Sequence, residues 1–134
     1  MSVWDIYIDG ASKGNPGAAG VGVVIFKEGI RFKDISRHIG NTTNNVAEYT
    51  ALIYALTEAL ILKARKVKVL TDSELLAKQI NGEYKVRHAN LKPLFEQARN
   101  LSRGFESFEI RHIVRDKNKE ADSLADKAAR GNKL

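Results

Sequence analysis

The sequence predicts an α/β domain built on one mixed sheet with helices on its faces, and two observations carry that reading. Three strand-like segments follow one another with no helix between them, which makes the first part an antiparallel meander. From the middle onward strands and helices alternate, which requires parallel strands joined by crossover helices.

Taken in order, Val3–Asp9 is a strand, because Trp4, Ile6 and Ile8 alternate with Asp5, Tyr7 and Asp9. Gly10-Ala11-Ser12-Lys13-Gly14-Asn15-Pro16-Gly17 is a loop by composition. Gly20–Phe26 and Ile30–His38 read as two strands joined at a tight turn, Lys27-Glu28-Gly29. After Gly40-Asn41-Thr42-Thr43-Asn44 comes the strongest helix, Val46–Lys63. Its apolar stripe is Leu52, Leu56, Ala59 and Leu60, and Glu48 heads the same column. The β-branched run Val67–Thr71 is a strand, Ser73–Ile80 a short helix, Asn81-Gly82-Glu83-Tyr84 a loop and Asn90–Ser102 another helix. Phe108–Val114 is the last strand and Asn118–Ala129 the last helix. No repeat, linker or low-complexity stretch interrupts the series, so residues 1–134 are expected to form a single domain.

Composition narrows the function. With 43% apolar and 28% charged residues the chain is an ordinary globular mixture. The absence of cysteine excludes disulfides, thiolate zinc sites and cysteine nucleophiles, and fits a reducing cytoplasm. Met1-Ser2-Val3-Trp4-Asp5 has neither a basic region nor a long apolar run, so no signal peptide is expected. The apolar stretch Ala51–Leu62 is broken by Tyr54, Thr57 and Glu58 and is too short to span a bilayer. Lysine and arginine number 22 against 16 acidic residues, a net charge of +6, which favours a polyanionic partner without identifying one.

Four carboxylates sit where strands or helices begin or end: Asp9, Glu48, Asp72 and Asp122. Each has a local explanation. Asp9-Gly10 is a common turn pair. Glu48 completes a capping box if Asn45 is the N-cap. Thr71-Asp72-Ser73-Glu74 looks like a second box, and Asp122 suits the first turns of a helix. Their combination points elsewhere. Asp9 and Asp72 end strands that the topology places side by side in parallel, and ligand sites in such sheets gather at the carboxyl ends of strands. Glu48 shares its face with the apolar stripe, and Asp122 flanks an apolar face of Ala121, Leu124, Ala125 and Ala128. Carboxylates converging on one partly dry point repel one another, so a cation must hold them. An oxygen-only donor set selects Mg²⁺ or Mn²⁺ over zinc.

At these residues the chain closely resembles the type 1 ribonuclease H family. The matching stretches are Asp9-Gly10-Ala11-Ser12-Lys13-Gly14-Asn15-Pro16-Gly17, Thr42-Thr43-Asn44-Asn45-Val46-Ala47-Glu48, Thr71-Asp72-Ser73 and Asn118-Lys119-Glu120-Ala121-Asp122. They stand in the family's order and spacing. The resemblance implies a ribonuclease H-like fold, a five-stranded mixed sheet whose first three strands are antiparallel and the remainder parallel. It implies an endonuclease that hydrolyses the RNA strand of RNA–DNA hybrids by a two-metal-ion mechanism, leaving 5′-phosphate and 3′-hydroxyl ends. Asp9, Glu48, Asp72 and Asp122 would be the catalytic metal ligands for two Mg²⁺ ions, with Mn²⁺ able to substitute. Asn15, Asn44 and Asn45 would contact the RNA strand, including its 2′-hydroxyls, which tell RNA from DNA. Thr43 would help hold a phosphate of the DNA strand. For these asparagines capping and turn formation remain an equal reading of the residues themselves. The expected partner is the hybrid, with no membrane and no obligate protein partner, for a cytoplasmic monomer.

The chain departs from the family in two places. Many members carry a mobile histidine in a longer loop before the last helix, whereas the connection here is short. His112 lies at a suitable distance from Asn118, but it shares parity with Ile110 and Val114 and is expected to be structural. Arg115 is the alternative group for meeting a phosphate near the site. The basic, tryptophan-containing protrusion of some relatives is absent too, since the only tryptophan is Trp4, expected in the core. Lys78, Lys85, Arg87, His88 and Lys92 form a thin basic substitute, with Tyr84 as a stacking surface, although a solvated polar face reads equally well. Hybrid binding is then expected to be weak and steeply salt-dependent. Neither His38 nor His88 has a supporting context. Two other functions stay open. A different nucleic-acid substrate is one, and the asparagines argue against a branched DNA. A binding module without catalysis is the other, and the full set of carboxylates weighs against it.

Overall fold

A computed structural model describes residues 2–131. Five strands, β1 (Val3–Ser12), β2 (Gly17–Lys27), β3 (Ile30–Thr42), β4 (Lys66–Thr71) and β5 (Ser107–His112), form one sheet in the order β3-β2-β1-β4-β5. The first three pair antiparallel, while β4 runs parallel to β1 and β5 parallel to β4, as the pattern of elements predicts. Four helices cover the sheet: α1 (Asn44–Ile61), α2 (Glu74–Ile80), α3 (Lys92–Ser102) and α4 (Lys119–Ala129). A 3₁₀ turn, Arg115–Lys117, precedes α4. Among the described residues no helix is long and apolar enough to cross a membrane.

The two faces of the sheet are built differently. On one, Ile6 and Ile8 of β1, Val21, Val23 and Ile25 of β2, and Val67 and Val69 of β4 pack with Leu52, Ala55, Leu56 and Ala59 of α1. Trp4 joins this cluster, as expected. On the other, α4 lies against β2 through small residues, with Ala121, Ala125, Ala128 and Ala129 buried. A Cβ on Gly22 would stand 2.2 Å from the carbonyl oxygen of Ala121, so only glycine lets this helix lie so close. Central strands covered on both faces read as continuous apolar runs, which is why β2 is buried from Ala19 to Ile25.

The observed boundaries differ from the predicted ones where pairing or burial overrides composition. Gly10, Ala11 and Ser12 continue β1, because they pair with Val21, Gly20 and Ala19 of β2. Strand β2 begins at Gly17, which pairs with Thr42 at the far end of β3. Strand β5 ends at His112, two residues short of Val114, and Val114 instead leads into the 3₁₀ turn.

Candidate functional site

The parallel pairing of β1 with β4 ends at Ile8 and Thr71. Asp9 and Asp72 come next, Asp9 inside β1 rather than at its end as the sequence predicts, and Asp72 just after β4. Helix α1 brings Glu48 to the same place. A Cβ on Gly10 would lie 2.3 Å from the carbonyl carbon of Ala47, so the glycine allows α1 to seat directly on the strand. Glu48 is then buried and its Oε1 accepts the Gly10 N–H at 2.9 Å. Ligand oxygens of Asp9, Glu48 and Asp72 all come within 4.8 Å of one another. Asp122, in the first turn of α4, lines the same cleft of about 380 Å³, together with Lys13, Asn44, Arg115 and Asp126.

The local explanation for Asp122 holds, since it stands in the first turn of α4, but those for Asp9 and Glu48 do not survive this geometry. The N-cap of α1 is Thr43, whose Oγ1 accepts from Val46 N, so Asn45 caps nothing and Glu48 completes no box. Ser73 caps α2 by accepting from Leu76 N, while Thr71 Oγ1 accepts from Ser73 N. Asp9-Gly10 is strand rather than turn.

Burial is the largest electrostatic influence. It pushes the Asp9 carboxyl up to about 9, with repulsion from Glu48, Asp72 and Asp122 adding to it. It also pushes the Glu48 carboxyl up to about 8, aided by Asp72 and opposed by the Gly10 N–H and Arg115. Full ionisation of the cluster therefore calls for a cation close by. Arg115 supplies part of that positive charge, lying 3.3 Å from Asp122, but its side chain is 77% exposed. His112 ends β5, exposed and opposite Thr71 in register, and does not line the cleft.

A second, smaller groove of about 200 Å³ adjoins the cleft. Asn15, Thr43, Asn44 and Asn45 line it, and Asn44 lines both groove and cleft. Asn15 Oδ1 accepts the backbone N–H of Asn44 at 3.2 Å, tying the β1–β2 turn to the start of α1. The turn-forming role and the place in a groove therefore hold together for Asn15. His88 and Asn90 complete the lining. His88 had no context in the sequence. Its place here comes from Leu91, buried in the core beside it, and from Gln79, which accepts from Tyr49 Oη at 2.7 Å and donates to the Lys85 carbonyl at 3.4 Å. Lys85, Arg87 and Lys92 are exposed on this side, while Lys78 lies over the Tyr84 ring, 5.0 Å from its centroid.

Asn118 is the residue that sequence reasoning missed. It is 1% exposed, and its Nδ2 donates to the Ile8 carbonyl at 2.8 Å and to Asp72 Oδ2 at 3.1 Å. Its Oδ1 is buried without a hydrogen-bond partner. No periodicity could have found these contacts, because they join residues far apart in the chain.

Comparison with known proteins places these features in context. A family model described as reverse transcriptase-like matches residues 7–128. The bifunctional protein Rv2228c of Mycobacterium tuberculosis is 40% identical over 125 residues, 92% of this chain but 34% of that protein. The chain thus spans about a third of this relative, and the ribonuclease H domain at its N-terminus superposes with a TM-score of 0.91 at 39% identity, covering 95% of this chain and 98% of that domain. Ribonuclease H1 of Halobacterium salinarum superposes with a TM-score of 0.93 at 38% identity, covering 96% of this chain and 98% of that one. LC11-RNase H1, solved in complex with an RNA/DNA hybrid, gives 0.90 at 40% identity, with 96% and 98% covered.

Proposed function

Since the chain belongs to the reverse transcriptase-like family, and within it to the type 1 ribonucleases H, we propose that it is an endonuclease hydrolysing the RNA strand of RNA–DNA hybrids. The observation that carries this reading is the convergence of Asp9, Glu48, Asp72 and Asp122 on one cleft that opens, through Asn44, onto an amide-lined groove. A single ribonuclease H domain, 1–134, suffices for it.

The donor set fits divalent metal. It is all oxygen, two of its members are buried, and both are pushed toward the protonated form by burial and by repulsion from their neighbours. Asp9, Glu48, Asp72 and Asp122 would hold two Mg²⁺ ions, with Mn²⁺ able to substitute. When bound, such a pair supplies polarisation of the phosphodiester and activation of the attacking water, leaving 5′-phosphate and 3′-hydroxyl ends. The chain's other residues orient the substrate. Asn15, Asn44 and Asn45 offer amide donors and acceptors to the RNA strand and its 2′-hydroxyls, groups that DNA lacks. Thr43, at the start of α1, offers a hydroxyl and a helix N-terminus to a phosphate of the DNA strand. Arg115, long and exposed, is free to leave Asp122 for a phosphate at the mouth of the cleft. His112 plays no direct part, so proton transfer to the leaving group falls to solvent. Lys85, Arg87 and Lys92 give a small basic surface, and binding is expected to weaken steeply with salt. LC11-RNase H1, similar along its whole length, holds a hybrid of the kind proposed here. We place the protein in the cytoplasm as a monomer, in keeping with its lack of cysteine.

Labelled RNA–DNA hybrid, DNA duplex, RNA duplex and single-stranded RNA, each incubated with Mg²⁺, Mn²⁺ or EDTA, test the reading, with Asp72→Asn as the control for contaminating nuclease. The expected result is metal-dependent cutting of the hybrid's RNA strand alone, lost in the variant. Hybrid binding without cutting under either metal would sink it and leave a binding module.

A further inference from the structure

Asn118 occupies the position from which a helix is normally capped, yet its side chain makes no capping bond to α4. It turns inward and binds two acceptors on different strands. The Ile8 carbonyl immediately precedes Asp9 on β1, and Asp72 follows β4. Its own carbonyl accepts the Asp122 N–H at 3.0 Å. One residue thus joins the segments that carry three of the four carboxylates. Both atoms facing the amide are acceptors, so the reverse orientation would set oxygen against oxygen, and the network fixes which end meets Asp72. The remaining oxygen stays buried and unpaired. Giving up both a cap and an acceptor's partner is the kind of local loss found where a site demands a particular geometry.

We propose that Asn118 is a positioning residue for the metal centre: it holds the Asp72 carboxylate in register with Asp9, so that the cleft presents a preformed donor set. The inference rests on the function proposed above and goes one residue beyond its ligands. Asp72 is only half-buried and follows the end of β4, so its side chain has room to rotate away from Asp9 and Glu48. A donated N–H on Oδ2 opposes that rotation and leaves Oδ1 to face the cleft. Partners of this kind, which orient a ligand by hydrogen bonding to it, commonly change metal affinity by roughly ten- to a hundredfold.

Calorimetric titration of Mg²⁺ and Mn²⁺ into the wild type, Asn118→Ala, Asn118→Ser and Ser36→Ala tests the proposal. Serine restores a good N-cap while being too short to reach Asp72, which separates stability from positioning. Ser36→Ala removes a different tie to α4, the 2.9 Å bond to the Leu124 carbonyl outside the cleft, and is expected to leave metal affinity unchanged. Both Asn118 variants are expected to lose roughly ten- to a hundredfold in metal affinity, with kcat recovering at high metal and KM for hybrid unaltered. Wild-type affinity in a folded Asn118 variant overturns the inference and leaves the nuclease reading standing, whereas a wild type that binds no metal overturns both. Should the variants fail to fold, the Asn118 side-chain amide of the wild type is followed by NMR. Slow exchange and a shift that saturates with metal are expected, and a freely exchanging, unresponsive amide overturns the proposal.

Discussion

Glu48 and Asp122 reach one cleft from opposite faces of the sheet, and they are held there by different means. Glu48 is 5% exposed, bonded to the Gly10 N–H and carried by a helix seated on bare backbone. Asp122 keeps 32% of its side-chain surface, and its partner Arg115 keeps 77%. The first side is rigid and electrostatically strained, and the second is exchangeable. The contrast teaches that a site can be preorganised on one wall while the other adapts to what enters, since an exposed ion pair contributes only about 0–1 kcal/mol.

The largest effect should come from removing a charge on the rigid wall. Asp9→Asn is expected to lower kcat at least about a thousandfold, on the order of 4 kcal/mol, and Asp122→Asn only about ten- to a hundredfold. Single-turnover cleavage of hybrid measures both, and equal losses would erase the distinction between the walls. Next in size is Gly10→Ala, whose new methyl group meets the Ala47 backbone and forces α1 to move. A stability loss of roughly 1–3 kcal/mol is expected in urea denaturation, with metal affinity falling alongside because Glu48 moves too. Gly22→Ala, which displaces α4, should cost similar stability with a smaller loss of metal affinity.

Acidity gives a third contrast. The Asp9 and Glu48 carboxyls titrate higher in the folded chain than in the unfolded one, so the folded state binds more protons between about pH 4 and pH 8–9. Their favourable contribution is full below that window and is lost as pH rises through it. Unfolding free energy in EDTA should therefore fall across the window in the wild type, more steeply than in Asp9→Asn, and saturating Mg²⁺ should remove the difference. Identical profiles for the two proteins in EDTA would mean that Asp9 is not strained. The smallest effect belongs to Arg115→Ala. Stability should stay within about 0.5 kcal/mol, KM for hybrid should rise, and the salt dependence of binding should flatten by about one phosphate contact. An unchanged salt slope would remove Arg115 from substrate binding.

Much of this was legible in the residues. Alternation in Val3–Asp9 and the stripe under Glu48 located the strand and the helix face that form the rigid wall, because both reflect periodic burial. The family resemblance named Asn15, Asn44 and Asn45, which line the groove beside the cleft. Asn118 was visible only as part of a matching stretch, and its tie to Ile8 and Asp72 was not, since a hydrogen bond between distant segments leaves no local pattern. His88 was read only as part of a thin basic surface, and its place in the groove beside the asparagines left no local pattern either. The strand boundaries went astray at Gly10–Ser12, where turn-forming composition yields to ladder pairing with β2.

The amide bridge from Asn118 to Ile8 spans 110 positions and brings the last helix onto the first strand. Asp9, Glu48 and Asp72 are gathered by β1, α1 and β4, and the closure brings Asp122 to them. If the four carboxylates hold metal as proposed, a free concentration a hundred times the dissociation constant would add about 2.7 kcal/mol to the native state. The complete donor set would then depend on a tie between the two ends of the described fold.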